Sequence, residues 1–319
     1  MRNIVIYDTS IASENGGDHI IMDYCMNFLM TLTDLAFFTH LPTHDTIGKV
    51  GRQKIKNSDL SIVCGTNLLT SHALRYRQWK YKFLDVFYMK NVQLMGVGWW
   101  QYQNDPDPYT KWIYKKILDN GKLHSVRDRY TEEKLKKMGI NAIYTACPTM
   151  WGLTQEHCAQ IRKEKANSVI TTLTDYKKNM TLDKKLFDIL HANYNKVYFW
   201  GQSFDDYEIL KMLGEKDKVS IIGPGVPAFD SVLEQEDIEY IGTRLHGGIR
   251  ALNHKRRAII IACDNRATEI GKDTGLPIIE RNQIEEKLYA MINSSFDTVI
   301  NLPTENIRKW KASVLGGIK

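Results

Sequence analysis

The chain has 319 residues, 43% of them hydrophobic and 25% charged, with a formal net charge of +6. That length accommodates two domains of ordinary size, and the composition excludes disordered, collagen-like and membrane-spanning classes, since no run approaches the ~20 apolar residues of a span. Five scattered cysteines, Cys25, Cys64, Cys147, Cys158 and Cys263, contain no CxxC pair and argue against a disulfide framework or a zinc knuckle.

The amino terminus runs directly into a β-like segment over residues 3–7 without the apolar stretch of a signal peptide, so a cytoplasmic location is expected. Glu14-Asn15-Gly16-Gly17-Asp18-His19 follows, ahead of a helix over 18–32. Its glycine pair permits a tight turn that points amides at a ligand, and Asp18 can cap the helix or take part in proton transfer; a plain βα turn explains the pattern equally well. Strands are expected over 35–38, 60–64, 92–97 and 123–126, the last ending at Arg127-Asp128, after which Thr131 can cap a helix that stops at Gly139. His40 and His44 are separated by Pro42, which spoils helical register, and they are not expected to share a metal.

Two stretches of the first half interleave aromatics with polar residues. Residues 75–83 (RYRQWKYKF) alternate bases and rings. They read as an exposed helix face with its rings turned inward, or as a contact for an anionic membrane surface or substrate. Trp99, Trp100, Tyr102 and Tyr109 lie in a polar, proline-bearing segment, where rings either stack on a sugar or pack on one another. Asp105-Pro106-Asp107 has the DxD spacing of some metal-bound nucleotide sites and also that of a rigid turn. Gly96-Val97-Gly98-Trp99-Trp100-Gln101 lacks the third glycine of a dinucleotide fingerprint. No metal site is expected.

Pro148 and Gly152 interrupt the alternation and place a boundary there, giving domains 1–150 and 151–319. Strands are expected again over 168–172, 197–200, 219–222 and 258–262, with helices over 155–165, 183–192 and 205–213. A last helix over 305–315 carries Ile307, Trp310 and Val314 on one face and can pack back on either domain. Repeated βα alternation implies two parallel sheets covered by helices, Rossmann-like domains whose ligands sit beyond the carboxyl ends of the strands around a shared cleft.

Thr243-Arg244-Leu245-His246-Gly247-Gly248 is the most informative stretch. Tyr240-Ile241 ends a strand, Thr243 is a good N-cap, and Leu245, Ile249 and Leu252 form one apolar stripe, so a helix starts near Arg244. Its first amides and dipole favour an anion, to which Arg244 adds a forked donor; His246 titrates nearest neutrality and suits proton transfer. Gly247 and Gly248 remove side chains where a ligand or a neighbouring backbone comes close. A capped helix whose Arg and His face solvent is the plainer alternative.

Together these stations resemble the polysaccharide pyruvyl transferase family: Asn15-Gly16-Gly17-Asp18, Val63-Cys64-Gly65-Thr66-Asn67-Leu68-Leu69, Gly96-Val97-Gly98, Ser125-Val126-Arg127-Asp128, Arg244-Leu245-His246, Ala251-Leu252 and Asp264. Cys147-Pro148-Thr149 departs from the proline-aspartate often found there, Cys64 and Asn67 dilute a glycine-rich loop, and Arg266 stands where a lysine often follows. The resemblance implies a glycosyltransferase-B-like (GT-B) pair of domains, the first on the acceptor side. It implies an enzyme moving the enolpyruvyl group of phosphoenolpyruvate onto two hydroxyls of a sugar, in a polysaccharide or lipid-linked oligosaccharide precursor, to form a cyclic ketal and release phosphate. Phosphoenolpyruvate is then a co-substrate, with no cofactor or metal, and the lipid-linked acceptor suggests peripheral contact at the inner membrane face; nucleic acid is not an expected partner. His246, Arg244 and Asp18 are the candidate catalytic residues. Arg244, His246, Gly247, Arg127, Asn15, Gly16 and Gly17 are candidates for the donor, and Trp99, Trp100, Tyr102 and Asp264 for the acceptor. A nucleotide-sugar glycosyltransferase and a non-catalytic carbohydrate- or membrane-binding protein are the competing readings.

Overall fold

A computed structural model describes residues 2–235 and 237–316, the side chains of 33–35 excepted. The chain divides into two compact units. The first holds the described residues up to Ser13, Ile21–Pro148 and those from Leu302 on; the second holds Glu14–Ile20 and Thr149–Asn301.

In the first unit β1 (Arg2–Asp8), β2 (Ala36–Pro42), β3 (Leu60–Cys64) and β4 (Val92–Met95) form a parallel sheet in the order β2-β1-β3-β4. β5 (His124–Val126) and β6 (Ala142–Tyr144) pair in parallel beside it. Side chains and loop amides make the join between β4 and β5. The Leu94 amide donates to His124 Nδ1 at 3.2 Å, and the Gly96 amide donates to the Ser125 carbonyl at 3.1 Å. Burial lowers the His124 pKa to about 4, so the ring is neutral and its other nitrogen donates to the Leu118 carbonyl at 2.7 Å. Ile4, Ile6, Ile62 and Val63 are fully enclosed, as strands covered on both faces require.

The second unit contains β7 (Ser168–Thr171), β8 (Lys196–Phe199), β9 (Ser220–Ile221), β10 (Ile238–Gly242), β11 (Ala258–Ala262) and β12 (Ile278–Glu280). Every pair is parallel, in the order β12-β11-β10-β7-β8-β9. The first strand of the unit therefore lies beside the fourth. The chain winds outward from that point in both directions, leaving a crevice at the carboxyl ends of β7 and β10, where open α/β sheets hold ligands.

Several local expectations need correcting. The helix Arg129–Lys137 is capped by Asp128, whose Oδ1 accepts the Thr131 amide at 2.7 Å and the Thr131 hydroxyl at 2.6 Å, so Thr131 sits inside the helix. The helix expected over 155–165 is the single turn Gln155–Cys158; beyond it Arg162 and Asn167 are tied to Asp237 at 2.7 and 3.1 Å, which draws the chain out of helical register. Residues 75–82 form no helix: Trp79 is buried edge-on to Tyr7 at 5.5 Å, and the chain around it is irregular. The two units also differ from a single cut at residue 150. The Asn15–Asp18 loop groups with the second unit and the helix Thr304–Gly316 with the first, where Ile307, Trp310 and Val314 are buried and Asn306 donates to the Tyr144 carbonyl at 2.9 Å.

Candidate functional site

The crevice of the second sheet contains a pocket lined by Asn15, Gly17, Tyr176, Gln202, Thr243, Arg244, Leu245, His246, Cys263, Asp264, Arg266 and Ala267. Three helices begin there: Gly16–Leu29, Leu245–Asn253 and Asn265–Thr274. Each contributes the positive end of its dipole, so their shared focus favours negative charge before any side chain is counted. Asn15 Oδ1 accepts the Gly17 amide at 3.0 Å, and Asp264 Oδ1 accepts the Arg266 amide at 3.0 Å. The helix Leu245–Asn253 lacks such a cap. Its N-cap residue is Arg244, not Thr243, and Arg244 makes no side-chain capping bond; Thr243 Oγ1 bonds instead to Thr174 Oγ1 at 2.8 Å and donates to the Thr172 carbonyl at 3.1 Å.

Arg244 is locked in place. Its amide donates to Thr172 Oγ1 at 3.1 Å, its carbonyl accepts from Tyr240 Oη at 2.7 Å, and those two hydroxyls lie 2.6 Å apart. The guanidinium contacts Asp206 through Nη2 at 2.6 Å and Nε at 3.2 Å, Asp175 through Nη2 at 2.8 Å, and the Leu173 carbonyl through Nε at 2.8 Å. These bonds bind the turn after β7 and the first turn of the helix Phe204–Met212, which follows β8, to the start of the helix Leu245–Asn253. Burial works against the Arg244 charge, but Asp206 leads the groups that outweigh it and hold the pKa above its ordinary value. Burial likewise pushes the Asp206 carboxyl upward, opposed by Arg244. The sequence predicts a forked charged donor here; the structure holds a residue whose charge is already shared by two carboxylates.

His246 is buried at the pocket wall, and a Cβ on Gly17 would lie 3.5 Å from its Nδ1 and 3.2 Å from both Asn15 Oδ1 and Gln202 Oε1. Gly17 therefore keeps the first helix close to the histidine. The other glycine pair answers to packing: a Cβ on Gly247 would meet Tyr240 Oη at 3.0 Å, and one on Gly248 would meet Ile260 Cγ1 at 2.4 Å. Gly247 does not line the pocket, and its missing side chain lets the helix rest on β10.

Arg266 and Tyr176, for which no role was read in the sequence, close one side of the pocket. Arg266 pairs with Asp264 through Nη2 at 2.6 Å and Nε at 2.9 Å and donates to Tyr176 Oη, and the guanidinia of Arg266 and Arg244 lie 5.3 and 5.4 Å from the Tyr176 ring centre. Burial disfavours the Arg266 charge, but Tyr176, Asp264 and Asp18 outweigh it and raise its pKa. The pocket opens to solvent past the half-exposed Tyr176, and its space of about 20 Å³ is room for about one water. The signal for both residues was positional: each follows the carboxyl end of a strand, β7 or β11.

The remaining candidates separate. Asp18 is buried in the first turn of its helix, its Oδ2 3.5 Å from Asn15 Nδ2. Asp264, assigned to the acceptor with the aromatics, belongs to the pocket of His246. Arg127 belongs to the first unit, buried, with Nη2 on Asn67 Oδ1 at 2.6 Å and Nε on Asp128 at 3.3 Å, and is not part of this pocket. Trp99 is core: it is fully buried, edge-on to Tyr114 at 6.0 Å, and donates to Gln103 Oε1 at 3.2 Å. Trp100 and Tyr102 line an open concavity of about 500 Å³ in the first unit with His72, Tyr76, Gln103 and Tyr130. There Trp100 packs on Tyr76 at 4.5 Å and Tyr102 is edge-on to Tyr130 at 5.3 Å. Asp107 caps the helix Pro108–Leu118 and bonds His72 at 3.0 Å, and Asp105 pairs with Lys134 at 3.3 Å, so the DxD residues serve a turn. No group of three metal-ligating side chains occurs among the described residues.

Two parallel-sheet units, with a polar pocket where three helices start at the switch point of the second, define an α/β protein of the GT-B type. Solved structures agree on that fold. A putative UDP-N-acetylglucosamine 2-epimerase from Listeria monocytogenes is 12% identical, with 99% of this chain and 95% of that one covered at a TM-score of 0.55. The lipopolysaccharide outer core galactosyltransferase WaaB is 11% identical, with 99% of both chains covered at 0.52. Comparison with curated proteins gives no significant sequence match. The sequence profile of the family described as polysaccharide pyruvyl transferase matches residues 8–265, and the chain belongs to that family. It is thus a transferase that acts on polysaccharide.

Proposed function

We propose that the protein transfers the enolpyruvyl group of phosphoenolpyruvate to two hydroxyls of one sugar in a polysaccharide or lipid-linked precursor, closing a cyclic ketal and releasing phosphate. The observation that carries this reading is the convergence of His246, Arg244, Arg266 and three helix starts on one pocket, in a chain of this family. The donor carries a carboxylate and a phosphate. The uncapped start of Leu245–Asn253 supplies amides for one of them, and Arg266 supplies the second by turning from Asp264 to the anion. Arg244 binds the donor at the pocket wall while fixing the loops around it.

In the reaction a proton is added to the methylene carbon of phosphoenolpyruvate, the neighbouring carbon becomes electrophilic, and a sugar hydroxyl forms a bond to it. The bond from that carbon to the phosphate oxygen breaks, and the second hydroxyl closes the ring. One proton ends on the new methyl group and one on phosphate, both from the two hydroxyls. His246 carries that proton between oxygen and carbon, a role worth on the order of 100- to 10,000-fold. Asp18 sits in the first turn of the helix with Gly17, just after Asn15, and assists the transfer. Fixed cations neutralise the leaving phosphate, so the reading assigns no cofactor or metal. Trp100 and Tyr102 hold the acceptor, their ring faces against the apolar face of a pyranose.

The test is phosphate release from phosphoenolpyruvate with a panel of galactosides, glucosides and mannosides, with and without EDTA. Release that depends on one class of acceptor and is insensitive to EDTA is expected. Turnover of a UDP-sugar with no release from phosphoenolpyruvate would overturn the reading in favour of a glycosyltransferase.

A further inference from the structure

The first unit carries an exposed aromatic surface that the chemistry above does not use. Phe83 and Phe87, on the turn Phe83–Phe87, meet Trp112 of the helix Pro108–Leu118. Phe83 is stacked on Trp112 at 5.8 Å and edge-on to Phe87 at 5.5 Å, and Phe87 is edge-on to Trp112 at 6.3 Å. All three stay 42–52% exposed and the neighbouring Leu84 is 62% exposed, so a cluster of rings that would ordinarily be core faces water.

Its surroundings are basic. Residues 74–90 and 108–118 contain eight lysines and arginines and one acid, Asp85, whereas the whole chain nets only +6. Asp85 is fully buried and paired with Arg52 at 2.5 Å, so it does not offset the surface charge. Lys80, Lys82, Lys111, Lys115 and Lys116 are exposed, and Lys116 lies 6.0 Å from the Phe87 ring centre. Exposed rings with lysines beside them, Lys82 next to Phe83, Lys111 next to Trp112 and Lys116 by Phe87, match a negatively charged bilayer surface in both apolar and electrostatic character. A second copy of the chain fits poorly, because a two-fold contact through this face would oppose two strongly positive surfaces.

We propose that Phe83, Phe87 and Trp112, with the lysines around them, dock the protein on an anionic phospholipid bilayer. The sequence pointed to residues 75–83 for such a contact; in the fold Trp79 turns inward, and the membrane-facing rings come from the next turn and from the helix Pro108–Leu118. This proposal does not depend on the donor or acceptor assigned above.

The experiment is sedimentation of the full chain with vesicles of phosphatidylcholine alone and of phosphatidylcholine with an equal part of phosphatidylglycerol, at low and high salt. Partition onto the anionic vesicles, and little onto the neutral ones, is expected. The double variant Phe83→Ala, Trp112→Ala should lower the partition coefficient at least tenfold. Lys111→Gln, Lys115→Gln, Lys116→Gln should lower it on the order of 100-fold at low salt, from about fivefold per lysine. These side chains are exposed, so melting temperatures should not change, and a variant that does not melt like the parent is replaced by Phe87→Ser. Equal partition onto both vesicle types, no partition of the parent, or undiminished partition of both variants would overturn the proposal. A parent that stays in solution as a dimer split by the aromatic variant would replace the bilayer with a second copy.

Discussion

Replacing Arg244 by methionine tests whether this residue is first a buried ion-pair partner and only then a ligand contact. Its side chain is 5% exposed and Asp206 is fully buried, so the substitution keeps the volume and strands a carboxylate. Losing one member of a buried pair costs ~3–5 kcal/mol. At ~2–4 °C per kcal/mol for a unit of this size, the melting temperature should fall by roughly 6–20 °C. The loss should depend on pH in a definite direction. Burial already pushes the Asp206 carboxyl up, with Arg244 opposing. Without the arginine its folded pKa rises further above the unfolded value, the native state holds the extra proton, and stability falls as pH rises through that interval. The variant should therefore lie closest to the parent near pH 5 and farthest from it near pH 8. Adding Asp206→Asn should restore most of the stability, because Asp175 is partly exposed and keeps its water, yet it should not restore phosphate release. Chemical denaturation at both pH values measures this. A loss under ~1 kcal/mol, or one that does not change with pH, would mean that Arg244 does not compensate a buried Asp206 charge.

His246→Ala should lower phosphate release from phosphoenolpyruvate by at least ~100-fold while circular dichroism and melting change little, and turnover near the parent's would remove this residue from the proton path. Gly17→Ala should separate stability from activity. Alanine improves helix propensity by up to ~1 kcal/mol, but its Cβ meets Asn15 Oδ1 and Gln202 Oε1 at 3.2 Å and crowds His246, so kcat/KM for phosphoenolpyruvate should fall about tenfold with an unchanged or higher melting point. Two adjacent tryptophans should behave oppositely: Trp99→Ala should cost ~3–5 kcal/mol in unfolding titrations, whereas Trp100→Ala should cost ~0.5 kcal/mol and raise the acceptor KM. His124→Gln should flatten the decline in stability between pH 6.5 and about 4. The parent's buried neutral ring binds its proton only in the unfolded chain over that range, so its stability falls as pH falls.

Parallel-sheet architecture was legible because buried strands are nearly unbroken apolar runs: residues 60–64 and 258–262 were bounded as observed. β6 and β12 were missed for the opposite reason. Each has three residues, too few for periodicity, and is completed by neighbours, as with Ile278 and Ile279 beside Ile260 and Ile261. Contacts set the unit boundaries. Pro148 marks the main crossing visibly, whereas the final helix joins the first unit through Trp310, which no local pattern assigns to one sheet or the other.

At the site, sequence order gave the position and not the partners. A strand followed by Arg244 and His246 fixes a helix start at a carboxyl end, and the strand order then places it beside β7, 69 residues from Asp175 by chain separation. That distance is why the state of Arg244 could not be read from its own segment: a guanidinium at a helix start looks like an anion clamp until Asp175 and Asp206 arrive from other elements. Arg266, by contrast, is paired locally, with Asp264 two residues away, and it is the cation that the proposed function turns toward an incoming anion. The same long-range closure divides two glycine pairs of identical composition. Gly17 is small so that one helix can approach a histidine, and Gly248 is small because Ile260 occupies the place of its side chain. A glycine at the pocket and a glycine in the packing are therefore told apart by the atoms that a Cβ would meet, His246 Nδ1 and Gln202 Oε1 for Gly17 and Ile260 Cγ1 for Gly248, which lie on other elements of the fold.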